Sequence, residues 1–120
     1  MMTVNKDPVV FIEHINNSIK DVEDFTKSVE KEDFLKDKKL QNALIRSIEV
    51  IGEAVKNIPL GFRNKYSNIE WTKIAGMRDK LLHHYFGVNL ETVWKVVKES
   101  IPKLKKDIQD ILDKEKTKTI

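Results

Sequence analysis

The residues best suited to chemistry lie in one short segment, MRDKLLHHYF, at positions 77–86. It holds Arg78, His83, His84 and Tyr85, and the chain of 120 residues has only three histidines in all. A histidine can take or give a proton near neutral pH, and an arginine can hold a phosphate through two parallel hydrogen bonds. The segment is therefore a candidate site for proton transfer beside a bound anion.

A regular helix would point these side chains in different directions. Arg78 and Tyr85 are seven residues apart, so they lie about 20° from each other around the helix axis. Arg78 and His83 differ by about 140°, and His84 lies a further step of about 100° round. Arg78 and His83 therefore meet only if the arginine wraps round the helix, the helix loosens near Gly87, or a second copy of the chain completes the site.

The same segment also suits an ordinary amphipathic helix. His83 and His84 would then be half-exposed residues near the helix C-terminus, where the helix dipole favours a cationic side chain. Arg78 would be a solvated charge, and the apolar residues between them would face the core. We expect no metal site and no cofactor, because two adjacent histidines point in different directions on a helix. The pattern alone leaves the catalytic and the plain interpretation open.

Composition limits the class of protein that must position these residues. Charged residues make up 34% of the chain and hydrophobic residues 40%, with four glycines and three prolines, which suits a helical protein better than a sandwich of short strands. The absence of cysteine excludes disulfides and thiolate metal sites. No apolar run approaches the ~20 residues of a membrane span, and nothing resembles a signal peptide, so we expect a cytoplasmic protein.

The net charge of +3 is small, but its distribution is uneven. Between Lys56 and Lys80 the sequence has six basic and two acidic residues, a local charge of +4 that leads into the candidate segment. We call residues 56–80 the basic window. It is either ordinary surface or a surface that attracts phosphate.

Cap residues and hydrophobic periodicity predict four long helices. The first begins at Asp7-Pro8, and the second runs from about Lys38 to Asn57. The third starts at a capping box with Ser67 as the cap and passes through Phe86, where Gly87 stops it. The fourth starts after Asn89 and continues to about Ile111. Short turns are expected near Phe34 and near residues 62–66 in the connections.

The periodic apolar stripes also predict how the helices pack. The stripe of the first helix comprises Phe11, Ile15, Ser18, Val22, Phe25 and Val29, widened by Ile12 and Ile19. Gly52, inside the second helix, suggests that another helix approaches closely there, since a glycine in mid-helix costs ~1 kcal/mol relative to alanine. Along the last helix, apolar residues from Leu90 to Ile111 repeat at spacings of four and three. We call this row the seam; it could pack in the core or against a partner.

These elements predict an all-α protein, an up-and-down helical bundle of about four long helices whose last helix bends at Pro102. We expect a single domain over residues 1–120, with frayed ends at 1–6 and 114–120.

The spacing Arg78, four residues, His83, one residue, Tyr85 resembles the R-x4-H-x-Y signature of HepT-like toxins of the HEPN superfamily. The segment RSIEVIGEAVKNIP at 46–59 is similar to the second helix of that family, and HHYFGVNLETVW to its passage into the last helix. The resemblance covers about residues 11–111. Asn89 departs from the pattern, because an aspartate is more usual there, but asparagine also caps a helix.

The resemblance implies a dimeric helical ribonuclease that uses no metal, with Arg78 and His83 as catalytic residues. It also implies a partner, a minimal nucleotidyltransferase antitoxin that adds AMP to Tyr85. Arg46, Glu49, Glu53 and His84 are further candidates for supporting roles, although plain surface exposure explains them as well. The expected partners are thus RNA, the antitoxin and a second copy of the chain, with no membrane.

Two other functions stay open at this point. The chain could be a module that binds a nucleotide or a nucleotidyltransferase and cleaves nothing. It could also be a structural bundle, for which the seam from Trp94 to Ile111 would be the important surface and mutations in the motif would have no effect.

Overall fold

The computed structural model describes residues 7–82 and 89–118, and all regular secondary structure in these ranges is helical. This confirms the predicted all-α class. The elements are α1 (Pro8–Thr26), α2 (Lys31–Lys36), α3 (Lys38–Lys56), α4 (Leu60–Lys65), α5 (Trp71–Leu82), α6 (Leu90–Lys95), a π-helical turn (Val96–Ser100) and α7 (Ile101–Lys118).

The long helices form a bundle in which α3 packs against both α1 and α5, and α1 also packs against α7. Lys105 of α7 pairs with Glu23 of α1 at 2.7 Å, and Gln109 donates to Asn16 at 3.2 Å, so α1 and α7 run antiparallel. The core of the bundle is mainly aliphatic. Its fully buried side chains are Ile12, Ile15, Ile19, Val22, Phe34, Leu44, Ile48, Ile51, Val55, Leu81, Ile108 and Ile111.

Local hydrogen bonds set most of the helix starts. The Asp7 carboxylate accepts from the backbone N–H of Val9 at 3.0 Å, and the Asn89 side chain accepts from Thr92 at 3.1 Å. Asp37 caps α3 in the same way. The caps predicted at Asp7 and Asn89 are therefore confirmed.

The cap predicted at Ser67 is wrong. Helix α5 begins at Trp71, and its first backbone bond runs from Ile74 N–H to Glu70 C=O. The Trp71 indole N–H lies between the carbonyls of Arg63 and Tyr66, 3.2 and 3.1 Å away. Because the buried indole satisfies the end of α4, the chain makes a turn over residues 66–70 instead of starting the helix early.

The last helix departs from regular α geometry immediately before Pro102. Ile101 N–H donates to Val96 C=O, five residues back, so residues 96–100 form a π-helical turn. Pro102 has no N–H, and its ring would crowd the carbonyl four residues earlier; a wider turn relieves that contact. A π-helical turn thus lies just before Pro102, where a bend was predicted.

Most residues of the seam of the last helix pack in the core of this chain. Val97, Ile101, Leu104, Ile108 and Ile111 are all buried, at most 5% exposed. Trp94 is half-buried and stacks on Phe34, with ring centroids 5.0 Å apart. The suggestion that the seam is a surface for a partner helix is therefore wrong.

Two further expectations need correction or extension. Phe25 is 43% exposed, although the stripe of α1 predicted it to be buried. Helix α1 ends at the next residue, and Ser28 with φ 61° turns the chain into α2. At the other end of the chain, residues 114–118 continue α7 as a helix although fraying was expected there, while residues 1–6 lie outside the described ranges.

Glu115 explains why α7 extends so far. Its carboxylate accepts from Lys65 at 2.9 Å and from the hydroxyl of Tyr66, which ties the last turns of α7 to α4. Burial and the bond to Glu115 raise the pKa of Tyr66 to about 12.

Within residues 7–82 and 89–118, no helix is both long and apolar enough to cross a membrane.

Candidate functional site

Arg78 is the one motif residue whose position the structure describes. It lies on α5, two turns from the start of that helix, and its side chain is 36% exposed. His83, His84 and Tyr85 lie outside the described residues. Their roles therefore remain predictions.

Gly52 allows α5 to come close to α3 at the level of Arg78. A Cβ atom placed on Gly52 would lie 3.3 Å from the carbonyl oxygen of Ala75 and 3.4 Å from the Cβ of Arg78. These distances confirm the close helix approach that Gly52 predicted. The arginine therefore emerges beside the polar face of α3.

Two carboxylates of α3 flank the guanidinium. Arg78 Nε is 3.9 Å from Glu49 Oε2, and Nη1 is 3.9 Å from Glu53 Oε2. Both distances exceed the 2.7–3.2 Å usual for an N–H···O hydrogen bond. The carboxylates therefore attract the guanidinium while leaving its N–H groups available to a bound anion.

Arg78 and the carboxylates line an open depression of about 520 Å³ between α1, α3 and α5, which we call the Arg78 depression. Its α3 side is a polar stripe at spacings of three, four and four residues: Arg46, Glu49, Glu53 and Asn57. The structure thus brings three of the proposed supporting residues, Arg46, Glu49 and Glu53, to the same surface as Arg78.

Five residues that line the depression were not predicted as site residues: Phe11, His14, Val50, Ala54 and Asn57. Asn57 lies four residues after Glu53, so extending the polar stripe by one turn would have found it. Phe11 and His14 are three residues apart on one face of α1, but only the packing of α1 on α3 reveals that this face meets the stripe.

Part of the basic window has a structural role. Arg63 donates to the carbonyls of Val55 and Ile58, at 2.6 and 3.1 Å, and so satisfies the C-terminal end of α3. Lys65 pairs with Glu115. For these two residues of the basic window, the contacts favour a structural role over a surface that attracts phosphate.

Outside the Arg78 depression, a hydrogen bond from Lys103, 3.0 Å long, lowers the pKa of the exposed Glu70 carboxyl. The part of the chain that the structure describes contains no cluster of three or more histidines and carboxylates able to hold a metal ion. The available N–H donors of Arg78 suit the depression to anion binding.

Comparisons with known proteins identify the family of this chain. The family model described as "Ribonuclease HepT-like" matches residues 15–111. A protein from Caldanaerobacter subterraneus named as a candidate RNase is 48% identical over 111 residues, which cover 92% of this chain and 99% of that protein.

Two archaeal proteins are similar to the same degree. One, from Methanocaldococcus jannaschii and also named as a candidate RNase, is 50% identical over 107 residues, covering 89% of this chain and 88% of its own. The other, named as a probable ribonuclease HepT of Thermococcus cleftensis, is 52% identical over 95 residues, covering 79% and 86%. No solved structure matched significantly. With a family match over residues 15–111 and relatives at about half identity, the chain belongs to the HepT-like ribonuclease family.

Proposed function

We propose that this chain is the toxin of a type II/VII-like toxin–antitoxin pair and cleaves RNA without a metal ion. The observation that carries the proposal is the Arg78 guanidinium, which keeps its donors available on an open depression. Membership of the HepT-like ribonuclease family supports the choice of RNA as substrate.

In the proposed reaction the ribose 2′-oxygen attacks the adjacent phosphorus. His83 takes the proton of the 2′-hydroxyl while water protonates the departing 5′-oxygen, or His83 protonates the 5′-oxygen while water takes the 2′-hydroxyl proton. The P–O5′ bond breaks as the new P–O2′ bond forms, so the products are a 2′,3′-cyclic phosphate and a 5′-hydroxyl end. Arg78 holds the phosphate with two N–H donors and offsets the charge that grows on its oxygens.

The geometry of a regular helix separates Arg78 from His83 by about 140°. We therefore propose a homodimer in which Arg78 of one protomer and His83 of the other serve the same phosphate. Glu49 and Glu53 would keep the guanidinium in place, and Arg46 would extend the cationic surface along α3.

We further propose that a nucleotidyltransferase antitoxin neutralises the chain by adding AMP to Tyr85. Tyr85 would lie about 20° from Arg78 on a continued helix. A phosphodiester at Tyr85 would bring negative charge and the bulk of an adenosine to the side of the helix that carries Arg78. It would compete with RNA for the arginine and obstruct the depression.

The two adjacent histidines allow a matched test of catalysis. His83→Ala should reduce cleavage of a single-stranded RNA in EDTA by at least about a hundredfold, whereas His84→Ala should cleave within a fewfold of wild type. Equal losses in both variants would contradict the role of His83. Intact RNA with every variant, wild type included, would favour the alternative of a non-catalytic module that binds a nucleotide or a nucleotidyltransferase.

The proposed regulation has its own test. The chain would be expressed with and without its nucleotidyltransferase, and its intact mass measured, followed by peptide mapping. Mass added in whole AMP units on Tyr85 is the expected result. Unchanged mass in the presence of an active nucleotidyltransferase would contradict this mechanism and leave the cleavage proposal to the histidine test.

A further inference from the structure

An aromatic pair forms one wall of the Arg78 depression. The rings of Phe11 and His14 make an edge-to-face contact, with centroids 6.2 Å apart and planes at 89°. Phe11 is half-buried and packs against the core, whereas His14 is exposed. In an edge-to-face pair, one ring meets only the edge of the other, so aromatic surface remains available to a third planar group.

The polar groups of the depression have unused hydrogen-bonding capacity. In the described ranges, neither the Arg46 guanidinium nor the His14 imidazole takes part in a hydrogen bond or an ion pair. Asn57 donates from its amide nitrogen to the Glu53 carbonyl at 2.9 Å, which leaves its side-chain oxygen as an acceptor. Arg78 also retains its donors, as described above.

We propose that the Arg78 depression is a nucleotide subsite for single-stranded RNA. A base stacks against Phe11 and His14, the Asn57 side-chain oxygen accepts from an amino group on its edge, and Arg46 and Arg78 bind the phosphates on either side. This inference deepens the proposed function and rests on it, since it names how the strand beside the scissile phosphate is held.

Size and charge favour this occupant over other anions. A volume of about 520 Å³ falls within the ~300–1,000 Å³ of sites that hold small organic molecules, so one nucleotide can be accommodated. Two arginines face two glutamates, so the depression has little net charge and is poorly suited to a compact polyanion. A flat base beside one or two phosphates matches a wall of aromatic rings and a floor of dispersed polar groups. Unpaired bases offer such faces, whereas a duplex hides them.

The test compares two phenylalanines of α1. Binding of a labelled 2′-O-methyl RNA 12-mer of mixed sequence, which lacks the attacking hydroxyl, would be measured by fluorescence anisotropy. Phe11→Leu keeps the apolar volume and removes the stacking face, so affinity should fall by about 5- to 150-fold. Phe25→Leu makes the same change on the same helix outside the depression, and its affinity should equal that of wild type. Phe11→Tyr should retain binding.

A second readout separates this subsite from a general loss of structure. On unmodified RNA, Phe11→Leu should raise KM while kcat stays within about twofold, because the stacking contact is made equally in ground and transition states. Thermal unfolding of Phe11→Leu and Phe25→Leu would be compared to check that both fold.

Each outcome distinguishes the inference from the function on which it rests. Wild-type cleavage with equal binding by Phe11→Leu and Phe25→Leu would overturn the subsite and leave the ribonuclease proposal in place. Binding that depends on Phe11, without cleavage by wild type, would support the subsite and contradict catalysis. Failure of wild type to bind the 12-mer would overturn the subsite.

Discussion

At the scale of single residues, two carboxylates attract the Arg78 guanidinium without forming short hydrogen bonds to its N–H groups. Its contacts to Glu49 and Glu53 are both 3.9 Å long, and both carboxylates come from the helix against which α5 packs. A guanidinium held in this way can exchange long ion pairs for short hydrogen bonds to a phosphate with little rearrangement. The two carboxylates should therefore affect binding and catalysis in opposite directions.

The double variant Glu49→Gln/Glu53→Gln tests this division. Removing two negative charges beside the phosphate site should tighten RNA binding by up to about fivefold per charge, since charges about 4 Å apart in water interact by about 1 kcal/mol. Single-turnover cleavage should slow by about tenfold or more, because the arginine is less well positioned. Binding and cleavage that both weaken would contradict a positioning role.

Some residues of the Arg78 depression could be predicted from the sequence, and others could not. Arg78, Arg46, Glu49 and Glu53 could be proposed because each lies in a motif or a helical stripe of its own segment. His14 could not, because its place beside the stripe depends on how α1 packs against α3, more than 30 residues along the chain. The spacing of residues within a segment predicts which side chains share one face of a helix. It does not predict which distant helix packs against that face.

At the scale of elements, the contact between α3 and α5 determines where Arg78 emerges. Gly52→Ala would place a methyl group 3.3 Å from the Ala75 carbonyl, so α5 must shift by a few tenths of an ångström. We expect RNA cleavage to fall several-fold, while the free energy of unfolding changes by less than about 1 kcal/mol, because better helix propensity offsets the crowding. Gly61→Ala, on α4, meets no atom within 4 Å and should leave cleavage unchanged. Equal activity of both variants would contradict the proposed coupling.

The link between α4 and α7 gives the chain a dependence of stability on alkaline pH. The pKa of Tyr66 is raised from 10.0 to about 12, so the folded state favours the neutral phenol. Its contribution is fully present below about pH 10 and is lost as pH rises towards 12. Tyr66→Phe should lower the free energy of unfolding at pH 8 by about 1–3 kcal/mol, and the difference from wild type should shrink by pH 12 in urea titrations. A constant difference would contradict the role of the phenol.

Helix boundaries show which elements the sequence could specify. The caps at Asp7 and Asn89 depend on bonds within three residues, and both were predictable. Ser67 had the same local pattern and failed, because the Trp71 indole binds the carbonyls of Arg63 and Tyr66. A tertiary contact of one large side chain outweighed a cap worth about 1 kcal/mol.

At the scale of the whole molecule, the seam of the last helix belongs mostly to the core of the chain. Trp94→Ala removes the ring stacked on Phe34 and should lower the free energy of unfolding by about 2–4 kcal/mol. Leu60→Ala, at a side chain that is 70% exposed, should have no measurable effect. Chemical unfolding with sedimentation analysis distinguishes the two views. A Trp94→Ala chain that dissociates with unchanged stability would contradict the assignment of the seam to the core.

Catalysis by Arg78 would be tested first, by measuring cleavage of a single-stranded RNA in EDTA by wild type, Arg78→Ala and Lys105→Ala. The two variants lose the same charge, but Lys105 pairs with Glu23 between α7 and α1, away from the Arg78 depression. We expect Arg78→Ala to cleave the RNA at least about a hundredfold more slowly than wild type, with an unchanged melting temperature. Lys105→Ala should cleave at the wild-type rate. Cleavage by Arg78→Ala at the wild-type rate would contradict catalysis by Arg78.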